Sequence, residues 1–326
     1  MPLLRFIPET TNVDFVKYRY WAFTIDGLLL LASIVSILWQ GFNLGIDFTG
    51  GVMVEVKAAH TIDIGKTRAD IGSLHFGDTQ IQYFGGGECN TPVNSCVLIR
   101  VQPRSVNAGH DQDLSDQAVL QAIKSKLTAG ESVRRTDAVG ATVSQELFHD
   151  GVIATILAVV MISVYVAIRF EWQYGVGALI ATGHDVFVTA GFYSFLSWIG
   201  YAIDFNINTV AALLLLAGYS INDTVVVFDR IRENRRKYKR MSLVDMINLS
   251  TNQIATRTTL VSAATALSVI PLLFGGEVLL NFSVAILFGI VVGTFSSTYV
   301  AATLLLYLPA VGGGSSGTAS EKEATA

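Results

Sequence analysis

Residues 206–228 read NINTVAALLLLAGYSINDTVVVF, twenty-three residues with one charged side chain, Asp223. A hydrocarbon core about 30 Å thick needs about 20 helical residues at 1.5 Å rise each, so this stretch is long enough to cross a bilayer. Five others share that property: Trp21–Trp39, Gly151–Ile168, Gly175–Trp198, Thr258–Phe274 and Leu279–Leu308. Within all six, the charged residues are Asp26, Asp185 and Asp223 alone. Over the full 326 residues, 15% are charged, against roughly 25% in soluble domains, and the mean hydropathy is +0.50. A soluble enzyme and a β-barrel are excluded; the pattern predicts a multi-pass α-helical membrane protein with six transmembrane helices.

The first span (21–39) follows Lys17 and Arg19, as a secretory signal would, but it is longer than an h-region. It ends at Trp39 without a small-x-small cleavage site, which predicts a retained anchor. With residues 1–20 inside, the inward segments 1–20, 169–174, 229–257 and 309–326 carry 3, 1, 8 and 1 Lys or Arg, and the outward turns 199–205 and 275–278 carry none. Residues 40–149 carry nine, but loops of that length cross largely regardless of charge. Both termini are therefore expected in the cytoplasm, with one external domain at 40–149 and the other five spans within 150–308.

That external domain reads as strand 47–57, helix 62–74, strands 79–84 and 96–102, helix 114–127 and strand 131–138. The second helix has Asp113 as a cap and Leu114, Ala118, Ile123 and Leu127 along one side. The order β-α-β-β-α-β is the split-βαβ pattern of a ferredoxin-like α+β domain, which usually binds or packs. Cys89 and Cys96, the only cysteines, lie seven apart between two strands. In an oxidising compartment they can close a small loop; otherwise they are two thiols, and two ligands are too few for a metal. Residues 309–326, rich in Gly, Ser, Thr and Ala, cannot bury a core and are expected to be a disordered tail.

Ionisable groups inside a span are costly, so each is a functional candidate, with polar packing as the competing role. Asp26 lies near the cytoplasmic end of its span, where a structural role is favoured. His184 and Asp185 sit mid-span, about 100° apart on a helix, and so face different neighbours. Asn222 and Asp223 form the strongest site. Arg257 starts the fifth span, and antiparallel neighbours would bring it to the depth of Asp223. Desolvation favours a neutral carboxyl there and a nearby guanidinium favours a charged one, so helix movement that alters their separation would load or release a proton. A static buried salt bridge is the competing account.

Residues 230–240 hold seven basic side chains in eleven, which the positive-inside pattern explains without nucleic acid. Ser242 and Asp245 then read as the cap-like start of a short helix with Leu243, Ile247 and Ile254 on one side, which suggests a helix lying at the membrane surface. Gly289, Gly293, Ser297 and Ala301 recur every four residues, a face on which another helix can pack closely.

Four motifs, LGIDFTGG at 44–51, HDV at 184–186, GYSINDTVVVFDRIREN at 218–234 and RTTL at 257–260, together with the span layout, resemble the SecF branch of the bacterial SecD/SecF protein-translocase family, within the RND superfamily. The resemblance covers roughly residues 15–308. It implies half of an RND-type fold in the inner membrane that pairs with SecD, associates with the SecYEG channel and uses the proton gradient, without a bound cofactor, to promote export and release of unfolded polypeptides. It places proton coupling on Asp223 and Arg257; Cys89 and Cys96 are outside the family pattern. A transporter repeat forms its polar pathway between two halves, and this chain supplies one. A small-molecule RND efflux pump would share the Asp and Arg logic but generally joins both halves in one chain with much larger external domains. An intramembrane aspartyl protease of the GxGD type needs Gly two before its Asp, where this chain has Ile221.

Overall fold

The computed structural model describes residues 11–83, 89, 92–103, 116–128, 130–201, 203–275 and 277–309. The expected tail (309–326) falls almost entirely outside them, as do the proposed cap Asp113 and its neighbour Leu114. Six helices are long and apolar enough to cross a membrane. The first, α1 (Arg19–Gln40), leads into a one-turn helix, α2 (Ile46–Thr49), and then into the sheet domain.

The sheet domain consists of β1 (Gly51–Ala58), α3 (Ile64–Gly72), β2 (Gly77–Tyr83), β3 (Cys96–Pro103), α4 (Asp116–Lys126) and β4 (Glu131–Val139). The strands form one antiparallel sheet in the order β2-β3-β1-β4, so β3 lies between β1 and β2, as a split βαβ unit requires. Period-2 alternation sends Val52, Val54 and Val56 to the same face as Ile99 and Val101, where Val119 and Ile123 of α4 cover them. Asp63 caps α3 by accepting from the Gly65 N–H at 2.8 Å. Cys89 and Cys96 are joined in a disulfide.

Two sequence expectations change here. Asp47 was expected to open the first strand but lies in α2, because Gly50 and Gly51 both take positive φ, 71° and 112°, and turn the chain between helix and strand. A Cβ at Gly51 would also run into the Val101 carbonyl oxygen of β3. On α4 the buried positions are Val119 and Ile123, while Ala118 is exposed.

The bundle continues with α5 (Ala141–Arg169), α6 (Trp172–Trp198), α7 (Ile207–Lys237), α8 (Leu243–Val269, extended by a 3₁₀ segment Ile270–Phe274) and α9 (Glu277–Ser296). A π-helical segment, Ser297–Ala301, carries α9 on to a last turn at Ala302–Leu304. Several helices outrun their apolar stretches, since hydrophobicity marks only the lipid-facing part of a helix. Thus α5 starts at Ala141, and residues 229–257 are not one long loop. They are the last turns of α7, a short connection and the first turns of α8.

The short surface helix expected after Ser242 is therefore the beginning of α8. Ser242 does cap it, accepting from the Asp245 N–H at 3.1 Å. Met246, Ile247 and Ile254 are buried with Phe228 and Ile231 of α7, so this face is turned into protein. Residues 11–18 lie along the same helix: Asn252 donates to the Val13 carbonyl and accepts from its N–H, both at 2.8 Å.

Helices α6, α7 and α9 are largely buried, whereas α1, α5 and α8 expose Leu, Ile, Val and aromatic side chains. Small residues permit the close contacts. A Cβ on Gly191 of α6 would meet Ser33 of α1, and one on Gly289 of α9 would meet Leu216 of α7. The Gly289, Gly293, Ser297, Ala301 series thus faces the interior, toward α6 and α7.

A buried ion pair ties the sheet domain to the bundle. Arg100, on the face of β3 away from the α3/α4 core, forms an ion pair with Asp204, which precedes α7, and both are buried. Asn43 also donates to Asp204, at 2.8 Å. Replacing Arg100 by Met removes the cation of a buried pair and is expected to cost about 3 kcal/mol or more, read as a lower thermal-unfolding midpoint of the detergent-solubilised protein. Gly51→Ala is expected to cost about 1–3 kcal/mol by the same measurement, from the positive φ and the Val101 contact.

Candidate functional site

The site is organised by α7. Its N-terminus is held by a capping box in which Asn206 accepts from the Thr209 N–H at 3.1 Å and the Thr209 hydroxyl accepts from the Asn206 N–H at 3.4 Å. Asp47 of α2 accepts from the Ile207 N–H at 3.1 Å, placing a carboxylate at the positive end of the helix dipole. Phe205 and Gly45 exchange backbone hydrogen bonds with the first-loop chain: Gly45 N–H to Phe205 O at 2.9 Å and Phe205 N–H to Asn43 O at 2.8 Å. A Cβ on Gly45 would sit 3.0 Å from that of Asn206. The LGIDFTGG segment is thus a docking collar for the head of α7.

Midway along the bundle a layer of polar groups crosses it. Asp185 of α6 is fully buried; one carboxylate oxygen accepts from Ser220 of α7 at 2.5 Å and from Ser296 of α9 at 2.8 Å. Its other oxygen lies 3.2 Å from Nδ1 of His184, whose Nε2 is 3.4 Å from the backbone carbonyl of Asp26 on α1. His184 and Asp185 therefore touch each other while reaching different neighbours, as their angular separation implied. Three residues beyond Ser220, Asp223 is buried and its carboxylate accepts a long hydrogen bond, 3.5 Å, from Ser262 of α8. The Ser262 hydroxyl also bonds Thr294 of α9 at 2.8 Å and accepts from Tyr219 at 2.9 Å. Four helices, α6 to α9, meet in this layer through side chains, and α1 joins it through the Asp26 carbonyl.

Arg257 stands apart. Asp223 is fourteen residues before the end of α7 at Lys237 and Arg257 fourteen after the start of α8 at Leu243, but the contacts Asn234–Ser250, Arg230–Gln253 and Asp223–Ser262 set Ser262 level with Asp223, so Arg257 lies about one turn nearer the α7–α8 connection. They form no ion pair within 4.0 Å among the described residues; Arg257 is exposed and lines an open cleft of about 570 Å³ with Tyr165, Arg169, Asp229, Glu233 and Gln253. Asn222 is exposed as well, on an outer face of α7 shared with Ala211, Leu215 and Gly218.

Sequence reading missed Ser220, Ser262, Thr294 and Ser296, because a hydroxyl in a span is cheap enough to be common and gives no alarm. The signal available was the spacing of Ser220 and Asp223, three apart and so on one helix face.

Known proteins resemble this chain along nearly its whole length. The family described as "Protein export membrane protein SecD/SecF, C-terminal" matches residues 119–310, and the "SecD/SecF GG Motif" matches 35–62, the collar and its two glycines. The protein translocase subunit SecF of Rhodobacter capsulatus is 37% identical over 94% of this chain and 91% of its own length. That of Rickettsia rickettsii is 36% identical over 93% and 94%. Among solved structures, the translocon-associated membrane protein SecDF of Thermus thermophilus aligns with a TM-score of 0.79 at 30% identity, covering 93% of this chain and 39% of that one. SecDF in a super-membrane-facing form aligns at 0.63 with 32% identity, covering 94% and 40%. The chain thus spans about two fifths of the SecDF chains and nearly all of the SecF chains. With a family match over more than half its residues and full-length relatives above 30% identity, the chain belongs to the SecD/SecF family of protein export membrane proteins.

Proposed function

We propose that this chain is the SecF-type half of a gradient-driven export device. It pairs with a SecD-type half, works beside the SecYEG channel in the inner membrane and promotes translocation and release of unfolded polypeptides. Its termini face the cytoplasm and its sheet domain the other side, as the distribution of Lys and Arg indicates. Asp223 is the proton carrier and Arg257 its switchable partner.

The observation that carries this reading is the state of the pair: a buried carboxyl with one long hydrogen bond, and about one turn along the next helix an arginine that, among the described residues, makes no ion pair within 4.0 Å and lines an open cleft. A static salt bridge would already be closed. Small rotation of α8 against α7 would change the carboxyl's environment from hydroxyl to guanidinium, which is a way to exchange a proton for a helix position. Each proton falling through 100 mV supplies about 2.3 kcal/mol. The other end of α7 is clamped to the sheet domain, so its displacement is passed outward through Asp47, Asp204 and Arg100. The exposed Asn222 and Gly218 face supports a second bundle against α7, since an amide is costly in bare lipid.

The test is export in vesicles or cells with and without a proton gradient. Asp223→Asn is expected to insert normally and to lose the gradient-dependent part of export, leaving the gradient-independent rate. Arg257→Met is expected to do the same, and Arg257→Lys to recover part of it. Wild-type, gradient-stimulated export by Asp223→Asn would refute the assignment.

A further inference from the structure

His184 is flanked on both ring nitrogens by acceptors. Nε2 faces the backbone carbonyl oxygen of Asp26, which can only accept, at 3.4 Å. Nδ1 faces Oδ1 of Asp185 at 3.2 Å. A neutral ring with its proton on Nδ1 would turn the Nε2 lone pair against the carbonyl. A neutral ring with its proton on Nε2 would turn the Nδ1 lone pair against Oδ1, unless Asp185 carries a proton there. The other Asp185 oxygen is already occupied by the hydroxyls of Ser220 and Ser296. Both contacts are satisfied only when the His184 and Asp185 side chains hold two protons between them: imidazolium with carboxylate, or imidazole with carboxylic acid.

Next to this pair is a second carboxyl with no partner. Asp26 is 5% exposed, and both its carboxylate oxygens are buried without a hydrogen-bond donor. Burial of such a group is expensive, and a structural role for it would be expected to come with a donor. His184 faces the Asp26 carbonyl from α1 and the Asp185 carboxyl of its own helix; the other oxygen of that carboxyl is bonded by Ser220 of α7 and Ser296 of α9, and Val159 of α5 lies against the neighbouring Gly183.

We propose that Asp26, His184 and Asp185 form a second proton-loading site, separate from Asp223, in which His184 passes a proton between Asp185 and the Asp26 carboxylate. In the step toward Asp26, the side-chain carboxylate takes the place of the backbone carbonyl at Nε2, the Nε2–H bond of the imidazolium breaks with its electron pair retained by nitrogen, and the O–H bond formed on Asp26 donates back to Nε2. The remaining proton stays on Nδ1, donating to the Asp185 carboxylate, and the net charge of the three groups is unchanged. Because Asp26 is on α1 and Asp185 bonds α7 and α9, the step reports on the position of α1 against the bundle. The transport role of this site rests on the proton-driven reading above, but its protonation does not.

The experiment uses the full chain in lipid nanodiscs with ¹⁵N-labelled histidine. The chain has five histidines, and the other four lie outside the six apolar stretches of the sequence. The His184 signal is the one lost in His184→Gln or, if that variant does not insert, the one displaced in Asp185→Asn. The expected result at neutral pH is a protonated Nε2, and an unprotonated Nε2 overturns the proposal. In the export assay, Asp26→Asn is expected to lose the gradient-dependent rate, and in the labelling experiment Asp223→Asn is expected to keep the wild-type His184 signal. If Asp26→Asn exports normally while Asp223→Asn does not, the second site falls and the Asp223 reading stands. If both export normally, both fall.

Discussion

The head of α7 is the constraint on which the remaining architecture depends. A helix that leaves four N–H groups unsatisfied at the edge of a membrane must find acceptors locally, and here they come from Asn206, beside the helix, and from Asp47, more than a hundred and fifty residues earlier in the chain. Just before it, Asp204 is neutralised by Arg100 from the sheet and bonded by Asn43 from the end of the first span. One small region thereby joins α1, the sheet domain and the central helix of the bundle. The two glycines at 50 and 51 serve this junction. They let a helical turn and a strand follow each other immediately, so that the sheet rises directly above the collar.

From that junction α7 descends into the polar layer. Its burial among α6, α8 and α9 places Ser220 and Asp223 on the interior face, while Asn222 and Gly218 lie outward. The layer contains three carboxyls, each in a different setting: Asp185 with two hydroxyl donors on one oxygen and His184 at the other, Asp223 with one long contact, Asp26 with none among the described residues. Such graded satisfaction is an unusual arrangement for groups that serve only to pack helices, because a packing carboxyl gains from every donor it can reach. It is a natural arrangement for groups that change protonation as helices shift.

Much of this was legible in the primary structure. The spans, their number and the α+β order of the loop follow from periodicity and charge, because lipid admits few polar side chains and a half-buried strand must alternate. The boundaries were less legible. Helix α5 begins in Ala141–Asp150 and α7 ends among Arg235–Lys237, where polar residues continue a helix that hydropathy no longer marks. Leu243, Ile247 and Ile254 look like a membrane-surface face, but they pack against α7, a choice that depends on which helix lies alongside.

By itself the sequence determined that the chain has six apolar spans with one α+β domain in the first loop and that Asp26, Asp185 and Asp223 are the charges they must accommodate, because the cost of a charge in hydrocarbon is independent of its neighbours. Only the tertiary structure decided how each is accommodated. Hydrogen bonds act over about 3 Å, and residues from α1, α6, α7, α8 and α9 that are distant along the chain come within that range only after the helices pack.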